Sequence, residues 1–135
     1  MEKKSKHLEF IQNIISRMAG NSFLIRGWTV TLVSALFALS AKDTNNKYSI
    51  IAYVPVFFFW SLDGYYLWKE RIYRALYDEV AEKKDEDINF SLNATTFSKD
   101  KNTWARSIFS LTNCILYIPL IILMIIVMFL IETIR

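Results

Sequence analysis

The chain has 135 residues, 53% of them hydrophobic and 21% charged, with a formal net charge of +3. That length suits one domain, and so small a charge excess is no nucleic-acid footprint. A single cysteine, Cys114, excludes an intramolecular disulfide, and a single histidine, His7, excludes His-based metal motifs. The apolar residues are unevenly placed, since residues 108–131 carry no charge at all. A domain of this size has nowhere to bury a helix that is apolar on every side. The composition therefore predicts an all-α integral membrane protein.

Residues 1–21 place Leu8, Ile11, Ile15 and Met18 at helical spacing, widened by Phe10 and Ile14, with Lys3, Lys4, Lys6 and Arg17 as a basic part. This predicts a cytosolic amphipathic helix that lies on anionic lipid or packs on another cytosolic helix. Gln12, Asn13, Ser16 and Arg17 interrupt its apolar residues, which is unlike a signal peptide.

Three spans follow from length and apolarity. The first is 22–41, charged only at Arg26, and the second is 48–68, charged only at Asp63. No proline or glycine follows Gly64 up to residue 84, so the second span is expected to continue as a cytosolic helix over 69–84. Leu62, Tyr65, Lys69, Ile72 and Leu76 keep a heptad-like spacing there, and that face needs a neighbour. Either the N-terminal helix or a second copy would serve.

Residues 85–105 predict a cytosolic loop. Within it Ile88, Phe90 and Leu92 alternate with polar residues, as in a short strand or an extended loop over helices. A strand could pair with another chain. Lys99 and Lys101 are candidate ligand or partner contacts, or ordinary charges flanking a span. The third span is 106–131, with a modest kink expected at Pro119.

Of 16 basic residues, only Lys42, Lys47 and Arg135 fall outside the N-terminal segment, Arg26 and the 69–106 segment. The N-terminus is therefore expected in the cytosol and the C-terminus outside. Trp28, Trp68 and Trp104 then sit near the inner interface, where indoles concentrate.

Gly27, Thr31, Ser34, Ala38 and Ala41 are spaced by 4, 3, 4 and 3 residues, which puts them within roughly 80° of one helix face. A small, mildly polar face permits close helix packing, or lines a pore when several copies assemble. Asp63 and Arg26 are expected at similar depth, where they form a salt bridge between spans, or Asp63 contributes to a ring of carboxylates at an inner vestibule. One chain of three helices cannot enclose a water path, so conduction predicts a closed homo-oligomer, with a tetramer favoured.

The stretches Lys6-His7-Leu8-Glu9-Phe10-Ile11, Arg26-Gly27-Trp28 and Leu62-Asp63-Gly64-Tyr65-Tyr66 carry a resemblance. Their layout resembles the small membrane effectors of bacterial antiviral defence, the SLATT-type proteins and the channel subunits of Hailong-type systems. The resemblance covers residues 6–84 and implies an oligomeric channel or membrane-disrupting effector of the bacterial inner membrane. It also implies gating by a cytosolic partner protein, or by a nucleotide or oligonucleotide ligand. The chain has no glycine-rich phosphate loop, no metal spacing and no nucleophile with a base, so no enzyme and no cofactor are expected. The alternative function is a membrane-anchored adaptor that recruits a soluble partner through the cytosolic helix and the 85–105 segment.

Overall fold

A computed structural model describes residues 2–42, 50–99 and 102–134, and every regular element among them is helical. Four α-helices follow in chain order: α1 (Glu2–Lys42), α2 (Tyr53–Glu82), a short α3 (Trp104–Ile108) and α4 (Leu111–Ile134). Lys101 and the first residues of the expected second span, 48 and 49, lie outside the described residues.

The amphipathic stretch 1–21 and the apolar stretch 22–41 run on without a break: α1 is one helix of 41 residues, about 60 Å long. Gly20 and Gly27 weaken it by about 1 kcal/mol each relative to alanine, and the helix runs through both. Its N-terminus is closed from a distance, because the Lys4 N–H donates to an Asp85 carboxylate oxygen at 3.0 Å. An acid at a helix start satisfies an orphan donor and complements the dipole.

Helices α1 and α2 form an antiparallel pair. Ile11 and Ile15 share an apolar cluster with Ile72, Leu76 and Val80, whereas Val33 and Phe37 share another with Ala52 and Val56. Numbers rise along one helix as they fall along the other. The heptad-like face of 62–80, expected to need either α1 or a second copy, is therefore covered by α1 of the same chain. Ile88, Ala94 and Phe97 close the first cluster from the connecting segment.

No strand forms among the described residues. The connecting segment makes two single 3₁₀ turns, Asp85–Asp87 and Thr95–Phe97, with irregular chain between them. Phe90 has φ 56°, in the left-handed region, which breaks the pleat that an alternating strand requires. The segment instead drapes over the start of α1. His7 Nε2 lies 2.8 Å from the Ser91 carbonyl, and the Phe90 ring meets those of His7 and Phe10.

The third apolar segment is also not one helix from residue 106. It breaks at Phe109 and Ser110, between α3 and α4. Ile108 there sits against α2 at Gly64, where an added Cβ would stand 2.9 Å from the Ile108 Cα. Side chains serve the carbonyls at the break: Trp60 Nε1 donates to Ile108 O at 2.7 Å, and Asn113 Nδ2 donates at 3.0 Å to Ser107 O, which also accepts the Ser110 N–H at 3.3 Å. Irregular backbone in an apolar surround persists only where the protein itself satisfies it. Pro119 lies inside α4.

By length and composition α1 and α4 can each cross a membrane. Only 11% of the apolar stretch of α4 is buried, which is unlike the core helix of a soluble protein. Helix α2 falls short of the same test, because its apolar part, residues 53–68, ends at Lys69, Glu70 and Arg71. The expected second span, 48–68, begins in residues outside the described ones.

Candidate functional site

Two features concern function, one inside the three-helix unit and one on its outside. The inner feature lies between the two apolar clusters. Asp63 on α2 is fully buried, and its carboxylate is met from two other helices. Arg26 Nε on α1 donates to Oδ2 at 2.8 Å. Tyr117 OH on α4 donates to the same oxygen at 3.0 Å, and Ser22 Oγ on α1 donates to Oδ1. Arg26 reaches on to α4, where Nη2 donates to Asn113 Oδ1 at 3.1 Å. Asn113 is buried and spends its own donor on the helix break described above. The Tyr117 ring stacks on Trp60 at 5.6 Å, so the phenol is aimed by an indole of the helix that carries Asp63.

The cluster is neutral as a unit: one guanidinium faces one carboxylate, and neutral donors fill the remaining lone pairs. A buried ion pair without such partners would be strongly disfavoured. Here every helix of the unit contributes a group, so the cluster fixes the register of α1, α2 and α4 at one depth. Of the two placements expected for Asp63, the structure has the ion pair with Arg26. Asp63 is 0% exposed and faces the protomer interior.

The outer feature is the small-residue face of α1. Gly27, Thr31, Ser34, Ala38 and Ala41 are all exposed, while the buried residues of the same stretch, Thr29, Val33, Phe37 and Ser40, face α2 and α4. An added Cβ at Gly27 meets nothing within 4 Å. Phe23, Leu24, Gly27, Trp28 and Thr31 line a shallow apolar depression of about 340 Å³ on that face. The structure thus separates what sequence reading grouped: the stripe faces outward, whereas Asp63 lies on the inside.

Beside α3, Trp68 and Trp104 stack at 6.4 Å, with Tyr65 edge-on to both. Lys69 Nζ lies 4.5 Å over the Trp68 ring. Trp28 stands apart, exposed on α1. Lys99 is exposed, and its side chain has no partner among the described residues.

Ser22, Asn113 and Tyr117 are members of the buried cluster that sequence reading did not join to Asp63. Asn113 and Tyr117 stand four apart in an otherwise apolar span, a spacing that places both on one face. Two polar groups on one face of an apolar helix signal a polar partner across the interface. No protein-family model, curated relative or solved structure matches the chain.

Proposed function

We propose that the protein is a subunit of a homo-oligomeric membrane channel or membrane-disrupting effector. In this reading α1, the stretch of 48–68 and the α3–α4 segment are three spans, with the N-terminus cytosolic and the C-terminus outside. The carrying observation is the exposure of the small-residue face of α1 along its whole length, beside an interior already closed by the Asp63 cluster. With the Asp63 carboxylate and the Arg26 guanidinium paired inside the protomer, that exposed face carries the small residues that permit close helix packing around an axis. Thr31 and Ser34 would present hydroxyls to water, and Ala38 and Ala41 would set the radius. A tetramer remains our favoured assembly, and a cytosolic partner or nucleotide remains our candidate gate, at the loop that carries Lys99 and Lys101. A role in bacterial antiviral defence rests on the resemblance of residues 6–84 alone.

Both readings lose one motive, because the apolar face of 62–80 is occupied by α1 and is free neither for a soluble partner nor for a second copy; the homo-oligomer then rests on the small-residue face alone. Purified protein in planar bilayers tests the choice: discrete current steps are expected from the channel, and silence with intact oligomers would favour the adaptor. Topology is tested separately. Ile134→Cys in a Cys114→Ser background is expected to label from outside intact cells, and protection there would contradict the three-span arrangement.

A further inference from the structure

A groove of about 390 Å³ lies between α2 and Asn102, lined by Arg71, Arg74, Ala75, Asp78 and Asn102. The four helix residues fall on one face, since spacings of 3, 4 and 7 return to nearly the same angle. Arg71 has no hydrogen-bond or ion-pair partner among the described residues, and neither do the side chains of Asp78 and Asn102. Arg74 is held by Glu70, with its Nε and Nη2 both on Oε1 at 3.2 and 2.8 Å. One pinned and one free guanidinium therefore share a concave surface with one free carboxylate.

The depth of this groove follows from the aromatic belt. Trp68, Trp104 and the overlying Lys69 are the residue types that concentrate at a membrane interface. Arg71 lies about 4.5 Å beyond Trp68 along the helix, Arg74 about 9 Å and Asp78 about 15 Å. The headgroup layer is roughly 5–7 Å thick on each side of the hydrocarbon. Side chains lean toward the N-terminus of their helix, which for α2 is the membrane side. The two guanidiniums thus reach back into the headgroup layer, and the carboxylate stands just outside them.

That order of charge, cation nearest the membrane and anion farther out, is the complement of a zwitterionic headgroup whose phosphate lies inside its ammonium. We propose that this groove binds the phosphoethanolamine headgroup of an inner-leaflet lipid. Arg71 and Arg74 hold the phosphate, Asp78 takes the ammonium, and the Asn102 amide is placed to donate to a phosphate oxygen. Arginine suits the phosphate because its planar donors meet two oxygens at once. An inorganic phosphate or a nucleotide phosphate would satisfy the arginines and leave Asp78 as a repulsive neighbour. The inference rests on the reading that α2 leaves the membrane near Lys69.

Native mass spectrometry of the full chain from nanodiscs tests it. Discs contain phosphatidylcholine with equal parts of either phosphatidylethanolamine or phosphatidylglycerol. The wild type is expected to retain phosphatidylethanolamine in preference to both other lipids. Arg71→Gln is expected to lower that retention about tenfold or more, the size of a lost charge-assisted hydrogen bond, with helicity by circular dichroism unchanged. Arg71→Lys restores part of it. Asp78→Asn lowers phosphatidylethanolamine retention and leaves phosphatidylglycerol unchanged or higher. Equal retention of the three lipids, or indifference to Asp78→Asn, overturns the proposal. So does displacement of the lipid by millimolar inorganic phosphate, which would point to a soluble ligand. A carbonate wash separates the two readings: release of the protein from membranes would sink the membrane reading itself, whereas retention without lipid preference sinks only the headgroup site.

Discussion

Asp63 and Gly64 are adjacent, and each fixes a different neighbour. Asp63 holds α1 and α4 through Arg26, Ser22 and Tyr117. Asp63→Asn would leave the part-buried Arg26 beside a neutral amide, and breaking one side of a fully buried pair costs about 3–5 kcal/mol, an upper bound here because the Arg26 side chain is 29% exposed. The expected result is a lowered unfolding midpoint in detergent. The double variant Arg26→Gln/Asp63→Asn is expected to recover part of that loss, because neither charge is then stranded. Losses that simply add in the double variant would show that the two side chains do not interact. Gly64 has no room for a side chain, given the approach of Ile108. Gly64→Ala is expected to cost about 1–3 kcal/mol by overpacking, read as a lower midpoint and as faster proteolysis at the α3–α4 junction. An unchanged midpoint would mean that α3 is not seated on α2.

The elements show how far sequence periodicity carries and where it stops. The stripe Leu8, Ile11, Ile15 and the run Ile72, Leu76, Val80 were legible as two apolar faces, and the structure packs them on each other. Ile72→Ala is therefore expected to cost about 2–5 kcal/mol as a cavity, most of it seen by hydrogen exchange as early melting of the C-terminal part of α2 and the start of α1. Protection unchanged in 69–82 would contradict this packing. Other features were not legible, each for a physical reason. The break at Phe109 and Ser110 depends on Trp60, a donor from α2, and on Asn113 turning its amide back onto Ser107 O, and neither contact shows in the apolar periodicity of the segment. The alternation at 88–92 is equally compatible with a strand and with a draped loop. The positive φ of Phe90 and the contact of His7 with Ser91 decide between them, and both are set by distant chain. Arg26 and Asp63 could be placed at one depth from helix rise alone, but their side of the helix pair depends on α4, which periodicity does not locate.

For the whole molecule, the arrangement is an interior closed by one neutral polar cluster, with a small-residue helix face left open. The interior explains why a single chain holds three helices in register around a carboxylate and a guanidinium. The open face is what a second copy would meet. On the channel reading the two surfaces have separable consequences: damage to the first is expected to lower stability, and bulk on the second is expected to change assembly and conduction with the protomer intact. The most direct measurement is current through bilayers during modification by a charged thiol reagent, on Ser34→Cys in a Cys114→Ser background. Leu123→Cys, on the exposed apolar side of α4, is the control. The account predicts that the reagent, added from the aqueous side, reduces current through the Ser34→Cys protein and leaves the Leu123→Cys protein unaffected. A Ser34→Cys channel whose current is indifferent to the reagent, or a Leu123→Cys channel that is blocked, would contradict it.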